Sequence, residues 1–473
     1  MLFTFTFLVH AGLNFALGLA AAAVLGPAEF GRYAIGAAVA VLVNAVCFYW
    51  LCSSAARYYT EAVRSERPQV RETLDRVLAI IATAIVVAAL VVTVAWPAGG
   101  FPGGLIALGM VAGLAQGIFD YVCTLARARF LDRLFVRLVL IKTFAGFILM
   151  LAAALWTGDA QTVLAAMVLS IVVGMWSGAR TLSDQSLLGT RIDPALLREF
   201  MGYSAPLILS LVVYQLMPFV NRGLIASVYG YAESGQFSLA YDTLSRIVFA
   251  LGASLEFILF QIAVRADEQE GRAAAEAQLG RNVVLVCCLL LPAAVGFWLL
   301  MPAIAHAIVP SAFQEGFLSY AGWLLPAVVA QAAITSALNG VFQIQKRTAP
   351  AAAAAVAAIA VDLLLCLVLP PVFGARGYAY AQVGGIGAAF ATTLAFAFPV
   401  LRREIRLRDL AIVVLGLLAM TAALLGWSDD VGPWVALALG IPLGAACYGA
   451  VIVAGDVAGI RAFALARLKR SAS

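Results

Sequence analysis

Three charged side chains fall within one long apolar run of the sequence: Asp242, Arg246 and Glu256, at i, i+4 and i+14. That spacing puts them on one helical face. A charge at membrane depth is costly, so such a stripe must face a cavity or protein and is a candidate site. The preceding run carries Ser204, Gln215 and Arg222 on one face and contains Pro206 and Pro218, which are expected to kink it. Elsewhere, His10 and Asn14 lie one turn apart, as do Gln116 and Asp120. Asn44, Arg57 and Asp362 are further polar residues within or at the ends of apolar runs, and Arg32 lies just beyond the first run. Three chemistries suit these residues. Arginine pairs two oxygens of an anion at once, so Arg246, Arg222, Arg57 and Arg32 suit an anionic ligand. Asn14, Asn44 and Gln215 are uncharged hydrogen-bonding groups and suit a neutral polar ligand. A carboxylate in low dielectric resists ionisation, so Asp242, Glu256, Asp120 and Asp362 suit a coupling proton or sodium ion.

Each group also has a plainer use. Asp242 and Arg246 have helix-pair spacing and can neutralise each other. Arg32 and Arg57 suit interfacial snorkelling. Asn14, Asn44, Gln215, Asp120 and Asp362 suit hydrogen bonds between helices. His10 and His306 read as packed or interfacial groups, and Lys142 reads as a lysine snorkelling to the inner face.

The elements that position these residues are membrane helices. The 473-residue chain is 64% hydrophobic and 12% charged, against about 25% charged residues in soluble domains. Apolar runs of bilayer length cover roughly 2–25, 33–53, 77–96, 104–126, 136–156, 162–179, 201–224, 237–262, 282–305, 317–340, 351–370, 379–400, 410–427 and 434–454. They do not alternate apolar and polar residues as barrel strands do. The expected fold is an all-α polytopic membrane protein of about 14 transmembrane helices. The first run has no Lys or Arg and is too long for a signal peptide, so it reads as a retained helix. Seven cysteines, Cys47, Cys52, Cys123, Cys287, Cys288, Cys366 and Cys447, all lie in apolar runs. They read as small hydrophobes, with no disulfide and no metal-ligand spacing.

Charge sets the orientation. The even-numbered gaps between runs, with the C-terminal tail, hold 25 of the 30 basic residues. Positive loops stay in the cytoplasm, so both termini are expected there, in a bacterial inner membrane. The net charge of +5 then reflects loops meeting anionic lipid headgroups and not nucleic acid. Two stretches look interfacial: a short helix opened by Asp193-Pro194 and running through Phe200, and Ile460 to Arg470.

A motif occurs twice. Gly26-Pro-Ala-Glu-Phe-Gly-Arg-Tyr33 follows the first run and Gly230-Tyr-Ala-Glu-Ser-Gly-Gln-Phe237 follows the seventh, 204 residues later. A weaker echo is Gly374-Ala-Arg-Gly-Tyr378. Both full copies are expected in tight outer turns, which glycine suits. Duplicated halves mark many transporters. The expected organisation is a six-helix lobe over 1–180, a cytoplasmic linker over 181–200, a second six-helix lobe over 201–400, two extra helices over 401–454 and a basic tail over 455–473. The cavity would lie between the lobes.

These residues carry a resemblance. Leu25 to Ala34, and the following helix ending Ser53-Ser-Ala-Ala-Arg-Tyr-Tyr59, are similar to the opening of the polysaccharide transporter (Wzx-like) branch of the MOP exporter superfamily. The second motif copy, and Ile308 to Glu315 with the helix ending near Asn339 before Lys346-Arg347, resemble later parts of the same family. The resemblance spans roughly residues 1–400. It implies a V-shaped, two-lobed flippase working by alternating access on an undecaprenyl-pyrophosphate-linked oligosaccharide, as in O-antigen and other lipopolysaccharide or surface-polysaccharide synthesis. Fourteen helices also occur in the branch that flips the peptidoglycan precursor. Partners would be membrane lipids, the lipid-linked substrate and a polysaccharide polymerase.

Rival classes fit less well. A multidrug exporter of the same superfamily needs an apolar or acidic cavity for cations. A membrane glycosyltransferase or polymerase needs clustered acids and large outer domains, and no outer gap here is long enough to fold one. A nucleotide-driven pump needs a glycine-rich phosphate loop, which Lys142-Thr143 lacks. No catalytic residue, resident cofactor or metal site is expected.

Overall fold

The computed structural model describes residues 2–59, 66–95, 103–178, 182, 192–345, 347, 349–425, 431–459 and 461. Every regular element among them is helical. The helices are α1 (Leu2–Cys47), α2 (Tyr49–Tyr58), α3 (Gln69–Ala95), α4 (Gly103–Ala128), α5 (Asp132–Thr157), α6 (Ala160–Trp176), α7 (Pro194–Tyr229), α8 (Tyr231–Glu270), α9 (Arg272–Leu299), α10 (Met301–Ile308), α11 (Gln314–Ala333), α12 (Asn339–Ile344), α13 (Ala349–Val368), α14 (Pro370–Phe373), α15 (Arg376–Glu404), α16 (Leu407–Leu424) and α17 (Pro433–Gly455). A π-helical turn, Ile334–Leu338, joins α11 to α12.

Among the described residues, 11 helices are long and apolar enough to cross a membrane. Ala160–Trp176 is apolar but shorter, at 17 residues. The first expected run and most of the second form the single helix α1, bent at Gly26 where φ is 69° and ψ is 174°; the end of the second run lies in α2. The chain is a multi-pass membrane protein. With the backbone's polar groups satisfied inside each helix, such segments can sit in hydrocarbon.

The described chain forms two compact units, Met1–Leu239 and Ala240–Ser473, divided within α8. In the N-terminal unit α4 is the most enclosed helix, and the reason is legible in its sequence. Gly109, Gly113 and Gly117 recur every fourth residue along it. Small residues at that spacing let two helix backbones approach closely. A Cβ on Gly109 or Gly113 would lie 2.6 Å from the Gly36 carbonyl oxygen or 2.7 Å from that of Ala40, both on α1. At Gly117 the space is taken by the buried Phe48 ring, where the chain breaks between α1 and α2. In the C-terminal unit α13 packs along α15, and α16 and α17 form a pair around Val413, Met420, Leu424, Tyr448 and Ile452.

Two expectations change here. Asp193 does open a helix: its carboxylate accepts from the Ala195 and Leu196 amides at 2.8 and 3.4 Å, with Pro194 in the first turn. That helix does not stop at Phe200. It runs as α7 through Tyr229 without a break at Pro206 or Pro218, because Phe200 is buried in a core with Trp50, Leu51, Leu74 and Tyr121 instead of lying at an interface. Asp193→Ala should therefore lower stability by about 1 kcal/mol, the usual cost of a lost N-cap, in denaturant unfolding of the purified protein. The amphipathic stretch Ile460 to Arg470, apart from Arg461, and the loop arginines Arg64, Arg180 and Arg191 lie outside the described residues.

Candidate functional site

The motif pair is built of helix and not of outer turns. Gly26 is the bend within α1, and Gly230 is the one-residue break between α7 and α8. Gly230 has φ 90° and ψ 167°, close to Gly26 at 69° and 174°. Side-chain-bearing residues avoid this region, so the first glycine of each copy supplies the same bend. The rest of each copy forms the first turns of the next helix. The second glycine of each copy does something else. A Cβ on Gly31 would lie 1.9 Å from the Tyr231 carbonyl oxygen, and one on Gly235 would lie 2.1 Å from that of Pro27. The two copies thus lie backbone against backbone, each using its own glycine to admit the other. All of these residues belong to the N-terminal unit.

Two of the four candidate arginines stand beside this contact. Arg32 is exposed, pairs with Glu29, and lies 5.0 Å from the Tyr231 ring centroid. Glu29 also accepts from the Ala160 amide at 3.1 Å, which fastens α6 to the same end. Arg222 is buried, with its Nη1 3.4 Å from the Ala34 carbonyl oxygen that accepts from it. Its own carbonyl accepts from the Ser234 hydroxyl at 3.0 Å. Arg57 is exposed near the end of α2, far along the chain from Gly26, with its guanidinium 5.7 Å from the Tyr58 ring centroid. Gln215 is half-buried on α7.

Deeper in the same unit lies a connected polar network. Asn44 on α1 donates to Asp120 Oδ2 at 2.8 Å, and Gln116 on α4 donates to Asp120 Oδ1 at 2.7 Å. Lys142 on α5 donates to Gln116 Oε1 at 2.7 Å. Its ammonium also sits 4.6 Å from the Phe119 ring centroid, a cation–π contact. Gly174 on α6 makes the room: a Cβ there would lie 2.8 Å from Lys142 Cβ. Lys142 therefore does not snorkel to an interface. Gln116 stands between its positive charge and the carboxylate of Asp120 and carries a hydrogen bond to each.

Near the start of α1, Asn14 donates to the His10 carbonyl at 2.7 Å, and the His10 ring meets the Thr143 hydroxyl at 2.7 Å. Thr143 follows Lys142 directly, so both groups of polar residues meet α5. Another cluster lies near the start of α3. Arg71 donates to Asp75 at 2.7 Å, Tyr121 donates to the other Asp75 oxygen at 2.7 Å, and the guanidinium lies 5.5 Å from the Tyr59 ring centroid.

In the C-terminal unit, Asp242 is half-buried and Arg246 is exposed on α8. Asp362 on α13 is fully buried. Glu256 lines a cavity of about 290 Å³ with Phe260, Leu279, Asn282, Thr335, Ser336, Ala337, Gly340 and Gln343. The cavity wall includes the π-helical turn, a distortion frequent at functional sites. Among the described residues, no group of three or more His, Cys, Asp or Glu could hold a metal ion.

Sequence reasoning named Asn44, Gln116 and Asp120 but missed Lys142 as their partner. A signal was present. Asp120 lies eight residues before the end of α4 and Lys142 ten residues after the start of α5. At 1.5 Å per residue the two stand at nearly the same depth on consecutive antiparallel helices.

No protein-family model matches the chain, and no curated protein sequence is significantly similar to it. Solved structures do match. The lipid II flippase MurJ in an inward closed conformation superposes with a TM-score of 0.77 at 12% identity, covering 96% of this chain and 98% of that one. An inward-facing MATE-family multidrug resistance transporter of the MOP superfamily gives 0.53 at 13% identity, covering 84% and 94%. A Vibrio cholerae MATE transporter gives 0.53 at 15% identity, covering 85% and 97%. The chain has the fold of the MOP-superfamily transporters.

Proposed function

We propose that this protein is a flippase for an undecaprenyl-pyrophosphate-linked oligosaccharide, carrying it from the cytoplasmic to the outer leaflet by alternating access. The observation that supports this reading most is the end-to-end likeness to a lipid II flippase, at a TM-score of 0.77 against 0.53 for the two multidrug transporters. On this reading the chain has fourteen membrane helices with both termini in the cytoplasm of a bacterium, and a surface-polysaccharide polymerase uses the product. The lobes expected over 1–180 and 201–400 would move against each other.

The pyrophosphate is anionic, and Arg246 is an exposed arginine on the helix that bears the charged stripe. Arg32 and Arg57 are exposed as well and would guide the same group. Arg222 is buried against backbone and would act by holding the motif contact. Asn14, Asn44 and Gln215 would serve the glycan, and the polyprenyl tail would stay in lipid. For a coupling proton or sodium ion the candidates are Asp242, Glu256, Asp120 and Asp362.

The exporter reading has one point in its favour: the fold is shared with a multidrug resistance transporter of the MATE family. Proteoliposomes decide between the two. Purified protein should move a lipid-pyrophosphate-linked oligosaccharide between leaflets, and Arg246→Ala should slow this by about tenfold or more, the worth of a charge-assisted hydrogen bond. Membrane abundance should be normal. Expulsion of a cationic dye with no lipid movement would overturn the flippase reading.

A further inference from the structure

Glu256, one of the candidates for a coupling ion, sits in a setting larger than a single ion needs. Its carboxylate is half-buried, and no salt bridge among the described residues involves it. It lines a cavity of about 290 Å³, far larger than the roughly 10–15 Å³ one water needs. The other walls divide by chemistry. Thr335, Ser336, Asn282 and Gln343 offer neutral hydrogen-bonding groups, while Phe260 offers an aromatic ring. Asn282 is held in place: it donates to the Leu259 carbonyl at 2.9 Å and accepts from Gln278 at 2.9 Å. Thr335 donates to the Gln331 and Ala332 carbonyls at 3.2 and 3.0 Å, which leaves its lone pairs available as acceptors.

A bare inorganic cation fits this cavity poorly. Hard cations need about six oxygens at short range, and one carboxylate in so large a space does not supply them. An ammonium group on a polar body fits well. It would pair with Glu256, donate to hydroxyl and amide oxygens, and lie against the Phe260 ring, as ammonium groups do on aromatic faces.

The position of the cavity narrows the source. Gln343 is itself exposed and followed four residues later by the exposed Arg347. Arg272, at the start of α9, donates to the Ile344 carbonyl at the end of α12 and also pairs with Asp267 at 3.5 Å and Glu276 at 3.9 Å. Two arginines thus stand beside the end of α12 that carries Gln343. On the flank of α8, Ile258 and Ile262 are exposed apolar residues suited to lipid chains. A carboxylate inside, Arg347 and Arg272 beside the Gln343 wall and apolar residues along one flank complement a lipid whose head bears an ammonium and a phosphate.

We propose that this cavity is a binding site for the headgroup of an aminophospholipid, with Glu256 taking the ammonium and Arg347 and Arg272, beside Gln343, the phosphate. The site lies wholly in the C-terminal unit and does not depend on what the protein transports.

Native mass spectrometry of the purified full chain tests it, with phosphatidylethanolamine, phosphatidylcholine and phosphatidylglycerol of matched chains. The wild type should retain the ethanolamine lipid about tenfold better than the glycerol lipid, the worth of one charge-assisted hydrogen bond. The choline lipid, which has no N–H, should fall between. Glu256→Gln should remove the preference and leave phosphatidylglycerol retention unchanged. Equal retention by the wild type, or an unchanged preference in Glu256→Gln, overturns the site. Displacement by free ethanolamine as readily as by the lipid overturns the lipid source and makes the ligand a soluble amine. If Glu256→Gln does not fold, Gln343→Met at the exposed rim takes its place: a reduced preference supports the site, and an unchanged one overturns it.

Discussion

Alanine at Gly31 or Gly235 is expected to unfold or severely destabilise the protein. A methyl at Gly31 would stand 1.9 Å from the Tyr231 carbonyl oxygen, and one at Gly235 would stand 2.1 Å from that of Pro27. The obstacle in both cases is backbone, so no side chain can swing aside. Either α8 must move away from α1 or the bends at Gly26 and Gly230 must change. Overpacking in a filled interior costs about 1–3 kcal/mol and occasionally more, and a backbone clash this close belongs at the top of that range. Moving the helices would also disturb Arg222, which is tied to Ala34 and Ser234 around the same contact. Gly223→Ala is the matched control. It lies in α7 with nothing within 4 Å of its added Cβ, and glycine to alanine in a helix interior gains about 0.5–1 kcal/mol. Thermal unfolding of the three variants in detergent checks this. Near-normal midpoints for Gly31→Ala and Gly235→Ala would show that the two motif copies do not bear on each other.

The second large effect should come from Lys142 and Asp120, and it should be non-additive. Lys142→Met leaves the Asp120 carboxylate between two amides with no cation nearby. Asp120→Asn leaves the Lys142 ammonium without its opposite charge. The two are part-buried and joined through Gln116, so losing one charge should cost about 1–3 kcal/mol, the usual penalty of leaving a hydrogen-bonded polar group unsatisfied, whereas replacing both is often close to neutral. The double variant should therefore recover most of what either single one loses, a coupling measurable as a double-mutant cycle by unfolding in mixed micelles. Gln116→Leu tests the geometry further. It removes the amide that joins Lys142 to Asp120, so it should resemble the single variants. If the double variant is as unstable as the sum of the two single ones, the three groups do not act as one network.

These two predictions rest on features that the sequence displayed unequally. The repeated motif was visible as five shared positions in eight, but its glycines looked alike. Only the backbone separates them. Gly26 and Gly230 are needed for their dihedral angles, while Gly31 and Gly235 are needed for the space they leave. Glycine's freedom and glycine's smallness write the same letter. The network shows the reverse case. Asp120, Gln116 and Asn44 each stood out as polar residues in lipid-length runs, yet Lys142 read as a snorkelling lysine because a long cationic chain near a helix end usually reaches water. The tertiary structure gives it a nearer partner. Gly174 on α6 clears the space, so the chain turns inward to Gln116.

The sequence by itself determined that this is an all-helical membrane protein, because a chain 64% hydrophobic in runs of bilayer length has one solvent it can face and one backbone arrangement that satisfies its hydrogen bonds there. It also carried a repeated motif whose bends recur in the backbone. What tertiary structure decided is which polar residues meet. Helical periodicity places a side chain on a face and at a depth, but it does not say which helix lies opposite. Asp120 found Lys142, Arg222 found the Ala34 carbonyl, and Glu256 found a cavity instead of an ion pair. The first two outcomes depend on close approaches set by Gly31, Gly109, Gly174 and Gly235, residues that carry no chemistry of their own.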